Sequence, residues 1–326
     1  MTATSNMPDH TFCIAPMMDW TDRHERYFLR LFSRHALLYT EMLTSAALVR
    51  GKADHLLAYH PDEHPVAVQL GGSDPDELSA AAVLADQAGY REINLNIGCP
   101  SDRVQSGRFG ACLMAEPALV ARCVSAISRR VTVPVTVKCR IGIDDMDSDE
   151  ALEEFISQVA AAGCRTFIIH ARIAILNGLS PRQNREIPPL NYSRVLRMKA
   201  RFPELEIVIN GGITTLAQVL DLLQEVDGVM VGREAYQNPF LLSEVDAILF
   251  GAAPNHTTRL EYLQRYLPYV TEELARGTPL QQMSKHVLGL FKGLPGGRNF
   301  RRHLSEHAHR RAAGVNVLLD AMAHVS

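Results

Sequence analysis

Glu92-Ile93-Asn94-Leu95-Asn96-Ile97-Gly98-Cys99-Pro100 carries a strand-like run directly into a short loop that holds a thiol. The glycine lets another group approach the loop closely, and the proline stiffens the turn. A thiol set this way lies at the C-terminal end of a strand. In a barrel of parallel strands, that edge is where chemistry is done. A cysteine serving only as a small apolar filler needs no such setting, although position alone leaves both readings open.

Working outward, similar short apolar or β-branched runs recur along the chain at 12–15, 37–40, 66–70, 92–96, 135–139, 166–170, 206–210 and 228–231. Most have the length and continuous apolarity of strands buried on both faces. Helical patterns separate them. The pattern at 75–88 opens with Ser73-Asp74-Pro75, a cap followed by a first-turn proline, and ends at Gly89. Those at 117–130 and 148–162 behave alike, the second stopping at Gly163, and 214–225 follows Gly211-Gly212. Strand and helix alternating eight times predict an α/β fold, a (β/α)8 TIM barrel of about 250 residues. An open doubly wound sheet competes less well, because no Gly-x-Gly-x-x-Gly fingerprint follows the first strand. Beyond Gly251 the strand signals stop, and Ala252-Ala253-Pro254-Asn255-His256 reads as a linker. Helical patterns at 259–277, 280–292 and 299–313 then predict a small all-helical domain, 252–326, after a catalytic barrel domain, 1–251.

Composition narrows the class. The chain has 326 residues, 47% hydrophobic and 21% charged, which is ordinary for a soluble globular protein. No apolar run approaches the roughly 18 to 20 residues of a membrane span. Residues 1–10 lack a basic segment followed by an apolar one, so a secretory leader is not expected. Six cysteines stand at 13, 99, 112, 123, 139 and 164 without Cys-x-x-Cys spacing. Disulfides and a metal site are therefore not expected, and a reducing cytoplasm fits best. Net charge is −3, yet Lys292, Arg298, Arg301, Arg302, Arg310 and Arg311 cluster against one acid, Glu306, with three histidines interleaved. Such a run is either a solvated helix face or a patch for phosphates.

The C-terminal ends of the predicted strands collect polar residues. They are Pro16-Met17-Met18 after the first, Gln69 in the third, and Asn96 with Cys99 at the fourth. Lys138 and Arg140 follow at the fifth, His170 and Arg172 at the sixth, Asn210-Gly211-Gly212 at the seventh, and Gly232-Arg233 at the eighth. Alone, each has a plain structural explanation; His170 fits a satisfied core histidine and Gly211-Gly212 a simple turn. Together they mark one rim. Glycine-rich loops after strands seven and eight are the usual phosphate site of such barrels, and Arg233 adds a bidentate fork. Lys138 and Gln69 suit a flat heterocycle, the cation favouring an anionic reduced flavin and the amide pairing with a pyrimidine-like edge. Phosphate and heterocycle together point to FMN.

Asn94-Leu95-Asn96-Ile97-Gly98-Cys99-Pro100-Ser101, with Ala15-Pro16-Met17 before it and Asn210-Gly211-Gly212 after it, resembles the tRNA-dihydrouridine synthases. Gly178-Leu179-Ser180-Pro181-Arg182-Gln183-Asn184-Arg185-Glu186-Ile187-Pro188-Pro189-Leu190 and Gly107-Arg108-Phe109-Gly110-Ala111-Cys112-Leu113-Met114 are similar to the A-type bacterial subfamily. The resemblance implies an FMN enzyme using NADPH to reduce the C5–C6 bond of uridine in the tRNA D-loop, at positions 20 and 20a. It implies flavin contacts from Pro16, Met17, Met18, Gln69, Lys138, His170, Asn210, Gly211, Gly212, Gly232 and Arg233. It implies Cys99 as proton donor to C5, with hydride from flavin N5 to C6. Asn96, Arg140, Arg182, Arg185, Asn299 and Arg302 would touch tRNA, Arg140 at the substrate ring. Ile173 and Ile175 depart from the resemblance, which leads one to expect lysine and tryptophan there. The resemblance also implies a monomer. A thiol with its ordinary pKa of about 8.5 stays protonated at neutral pH, so Cys99 is expected away from strongly depressing cations. With no second nucleotide fold in the chain, NADPH is expected to meet the same flavin face before RNA enters.

Two other readings share some of these residues. A barrel reducing a free pyrimidine, like a dihydroorotate dehydrogenase, has the flavin site but no use for the basic helical domain. A non-catalytic tRNA-binding barrel has no use for Cys99, Lys138 and His170.

Overall fold

The computed structural model describes residues 7–51, 53–101, 104 and 107–325, so only 7–10 of the first ten residues are included. Eight parallel strands close into a barrel in chain order: β1 (Phe12–Ile14), β2 (Leu37–Thr44), β3 (Val66–Gly71), β4 (Ile93–Ile97), β5 (Val135–Arg140), β6 (Thr166–His170), β7 (Glu206–Asn210) and β8 (Gly228–Val231), with β8 beside β1. Helices between the strands cover the outside, giving the predicted (β/α)8 barrel. Strand periodicity divides the side chains. Ile93, Leu95 and Ile97 of β4, Val135 and Val137 of β5 and Phe167 and Ile169 of β6 pack outward in one core with the helices. Cys13, Leu37, Tyr39, Ala67, Ile168, Val208 and Met230 fill the barrel interior.

One side of that interior departs from expectation. On β4 and β5 the inward positions are polar: Asn94 and Thr136 stand opposite each other, and so do Asn96 and Lys138. The strands there are not apolar on both faces. Their inner face is a hydrogen-bonded lattice, so the polar groups are buried with partners.

The helix starts follow local chemistry. Asp74 accepts from Glu77 N–H at 2.8 Å to cap Pro75–Gln87, and Ser148 accepts from Ala151 N–H at 3.1 Å to cap Asp149–Ala161. Gly89 and Gly163, with φ of 95° and 111°, stop these helices in a left-handed conformation that favours glycine. The helix predicted from 214 begins at Leu216, because Thr215 and Gln218 form a capping box ahead of it. Strand β2 runs on to Thr44 through an irregularity between Tyr39 and Met42.

A segment at 251–258 without helix or strand leads to helix Arg259–Ala275. The pattern at 280–292 resolves into Leu280–Ser284 and a tighter 3-10 turn, Lys285–Gly289, at which Lys285 and His286 meet Asp22 and Glu25. The last predicted helix is Gly297–His307, and a further one, Asn316–Met322, packs on it. These helices share a continuous apolar core with the barrel through helix Arg23–Arg30. Tyr27 stacks on Tyr269 at 3.9 Å between ring centres, and His24 Nδ1 lies 2.7 Å from the Tyr269 hydroxyl. No helix among the described residues is long and apolar enough to cross a membrane.

Candidate active site

The loop after β4 is held from three sides. Asn96 Oδ1 accepts from Gly98 N–H at 3.1 Å and Cys99 N–H at 2.9 Å, folding the chain into a tight turn. Gly98 lies so close to β5 that an added Cβ would meet the Cys139 carbonyl carbon at 3.3 Å. The Cys99 carbonyl accepts from Ala111 N–H at 2.9 Å, an approach permitted by Gly110, whose φ is 77° and whose added Cβ would sit 2.6 Å from that oxygen. The thiol is half-buried, 3.6 Å from Ser101 Oγ. Asn96, read as an RNA contact, therefore spends its carbonyl on shaping this turn.

Cations gather near the thiol. Neighbouring strand ends bring them there: Asn96 on β4 pairs in register with Lys138 on β5. Lys138, Arg140 and Arg185 all lie within electrostatic range of Cys99. Lys138 donates to Asn210 Oδ1 at 3.0 Å, and burial, then Arg140, pull its ammonium down to about 8. Burial and the surrounding Arg140 and Lys138 hold His170 well below the usual imidazole range, so it is neutral at physiological pH.

A phosphorylated flat ring fits the rim that these groups define. Among the described residues, His170 Nδ1 is buried without a hydrogen-bond partner. Gln69 uses one N–H on Asn94 and its Oε1 on Asn96, both at 2.8 Å, which leaves its second N–H. Gly211 and Gly212, with φ of 122° and 69°, turn beside Leu190, and a Cβ at Gly212 would collide with Leu190 Cδ1 at 2.6 Å. A Cβ on Gly232 would meet Ala15 Cβ and Met17 Sδ at 3.7 and 3.9 Å, ordinary contact distances, so the start of the β8 loop lies beside the β1 loop. Pro16 and Met17 are half-buried and Met18 is exposed at the same mouth. Arg233 reaches sideways, its Nη1 pairing with Glu186 Oε1 at 3.0 Å.

The segment after β6 contributes the remaining arginines. Arg182 and Arg185 are exposed, and Arg182 Nε lies 3.5 Å from Glu186. Arg140 is 4% exposed and gives hydrogen bonds to the carbonyls of Gly98 (2.9 Å), Ile173 (2.9 Å) and Asn184 (3.1 Å). It thereby ties the thiol loop to the segment after β6. The departures at Ile173 and Ile175 leave this scaffold intact, since their main chains do the work: Ile175 N–H donates to Asn184 Oδ1 at 2.8 Å. On helix Gly297–His307, Phe300 and Leu304 face inward while Arg298, Asn299 and Arg302 are exposed. Of the basic run, Arg298, Arg301 and Arg302 lie on this helix, while Lys292 precedes it and Arg310 and Arg311 follow it.

Sequence reading missed the groups behind the rim, namely His10, Glu92, Asn94, Thr136 and Glu206. The signal was present in β4, where Glu92, Asn94 and Asn96 alternate with Ile93, Leu95 and Ile97. All six cysteines carry free thiols, and no group of three or more candidate metal ligands exists among the described residues.

Residues 13–325 match the dihydrouridine synthase (Dus) family. The chain is 58% identical to a tRNA-dihydrouridine(20/20a) synthase of Shewanella oneidensis, covering 95% of this chain and 92% of that one. It is 56% identical to the Vibrio cholerae protein of the same name (96% and 95% covered) and 55% identical to that of Escherichia coli (99% and 96% covered). A solved complex of 2-naphthoyl-CoA reductase shares the fold alone, with a TM-score of 0.57 at 11% identity over 72% of this chain and 50% of that one. With a match from Cys13 to Val325 and relatives more than half identical over nearly their whole length, the chain belongs to the dihydrouridine synthase family.

Proposed function

We propose that the chain reduces the C5–C6 double bond of uridine at positions 20 and 20a of the tRNA D-loop, with FMN bound at the rim and NADPH as reductant. The observation carrying this reading is one rim that holds Cys99, Lys138 and neutral His170 together. FMN held at this rim would supply the hydride for C6 of the uracil ring. Cys99 gives its thiol proton to C5 as a general acid. Lys138, Gln69, His170 and Asn210 hold the ring of the cofactor, with Pro16, Met17 and Met18 beside it. Gly211, Gly212, Gly232 and Arg233 would take its phosphate. Asn96 and Arg140 set the shape of the pocket around the uracil.

A uridine in folded tRNA reaches this mouth only when turned out of its stack. Arg182 and Arg185 at the mouth, and Asn299 and Arg302 on the helical domain beginning at 252, grip the RNA backbone and set the register. The protein acts as a cytoplasmic monomer.

The test uses purified protein, NADPH and tRNA lacking dihydrouridine, with modified positions mapped afterwards. Dihydrouridine at 20 or 20a supports the reading. Product elsewhere keeps the chemistry and changes the positions, and a flavin-containing protein that oxidises NADPH without modifying tRNA overturns it. In the same assay Arg302→Glu is expected to weaken tRNA binding and flatten the salt dependence of log affinity by about 1. NADPH oxidation should stay near wild type.

Lys138 adds a pH dependence. Its charge in the flavin-free protein is lost as pH rises through about 8, so FMN affinity is expected to fall across that range. Titration of flavin-free protein with FMN at several pH values reads this directly, and Lys138→Met should remove the step. For folding, the sign is reversed. A depressed lysine disfavours the fold at low pH, and that penalty is relieved as pH rises from about 8 to the ordinary 10.5.

A further inference from the structure

The hydrogen bonds inside the barrel run one way from mouth to base. Cys99 N–H donates to Asn96 Oδ1 (2.9 Å), Asn96 Nδ2 to Gln69 Oε1 (2.8 Å) and Gln69 Nε2 to Asn94 Oδ1 (2.8 Å). Asn94 Nδ2 then donates to Thr136 Oγ1 (2.8 Å), and the Thr136 hydroxyl donates to Glu92 Oε1 (2.5 Å). Amides and hydroxyls both give and take, so each link taken alone points either way. The two ends do not. A backbone N–H only donates and a carboxylate only accepts, and both ends demand the same direction.

The base end is itself anchored. Glu92 also accepts from the Tyr39 hydroxyl at 2.8 Å and meets His10 Nε2 at 2.6 Å, while His10 Nδ1 lies 3.0 Å from Glu206 Oε1. Gln69, Glu92, Asn94, Thr136 and His10 are each no more than 1% exposed, so water does not compete for these partners. None of the groups below Gln69 reaches the mouth. A packed apolar interior, as on the β6–β8 side, fills the same volume without a directed polar chain.

We propose that Glu92 and Thr136 are positioning residues for the reaction. Through Asn94 and Gln69 they orient the Asn96 amide so that its oxygen faces the Gly98 and Cys99 N–H groups, which sets where the thiol points. They also fix which edge of the Gln69 amide faces the mouth. The inference rests on the reading of Cys99 as proton donor, and Thr136 is the link on which it turns. Thr136→Val removes one hydroxyl at constant shape, leaves Asn94 Nδ2 without its acceptor and cuts the chain from its anchor.

Two rates read the effect in the full-length protein. One is alkylation of Cys99 by iodoacetamide, followed by peptide mass spectrometry with and without flavin. The other is single-turnover reoxidation of the NADPH-reduced enzyme by tRNA. In Thr136→Val, reoxidation is expected to slow about tenfold, the scale of one buried hydrogen bond, with the KM for tRNA unchanged. Cys99 alkylation is expected to speed up as the loop loosens, and Thr136→Ser should restore both rates. A folded Thr136→Val with wild-type rates overturns the proposal, and so does a defect that serine does not relieve. If the valine variant does not fold, Glu92→Gln takes its place, since an amide no longer dictates direction at the base. The same two changes are then expected, and wild-type rates overturn the proposal. Alkylation in the flavin-free protein does not depend on which group protonates C5. Full turnover in Cys99→Ala would sink the donor reading by a separate result.

Discussion

Cys99→Ala is expected to lower dihydrouridine formation by roughly 10²- to 10⁴-fold, the range for loss of a positioned general acid. FMN content and NADPH oxidation should be retained, because the flavin contacts proposed here come from other strands. The structure adds a reason to expect a clean result. The Cys99 loop is shaped by main-chain groups, with Asn96 gripping two N–H groups, Ala111 N–H on the Cys99 carbonyl and Arg140 on the Gly98 carbonyl. Removing the sulfur leaves all of these in place. Single-turnover reoxidation by tRNA is the measurement, since it isolates the proton-coupled step from reduction by NADPH. Turnover within a few-fold of wild type would remove Cys99 from the mechanism.

His10→Ala has the largest expected effect on stability. The imidazole lies between two carboxylates at the closed end of the barrel, 2.6 Å from Glu92 and 3.0 Å from Glu206, and is 1% exposed. Burial alone would lower its pKa, but Glu92 and Glu206 together outweigh that and raise it from 6.5 to about 10. Removing this imidazole takes away the counter-charge that Glu92 has among the described residues, at an expected cost of about 3–5 kcal/mol. Urea unfolding of variant and wild type measures it. Because the folded pKa is raised, this stabilisation is fully present below pH 6.5 and is lost as pH rises through about 10. The difference in stability between wild type and His10→Ala should therefore shrink across that window. A difference independent of pH would mean that the site contributes by packing and carries no ion pair.

Much of this was legible from residues close in sequence. The eight runs read as strands all became strands, and Gly89 and Gly163 end helices where their positive φ is needed. The rim was legible too, since Asn96, Lys138, His170 and Asn210 each stand within two residues of a strand's C-terminal end and closure of the barrel brings such ends together. Errors arose where distant partners decided the outcome. The helix expected at 280–292 tightens where Lys285 and His286 meet Asp22 and Glu25, more than 250 residues away in sequence. That Asn96 lies level with Lys138, beside the thiol loop, is shown only by strand pairing.

By itself the sequence determined the alternation of elements, their caps and breaks, and the thiol's delivery on a Gly-Cys-Pro turn, all of which depend on neighbours a few residues apart. Only the tertiary structure decided that Glu92, Asn94, Thr136 and Gln69 form one directed chain beneath the Cys99 loop. It also decided that Arg140 is a tie between two loops and that Arg233 rests on Glu186. Hydrogen bonds of that kind join side chains from β3, β4, β5 and beyond. Their partners are set by barrel register and closure, which no local pattern encodes.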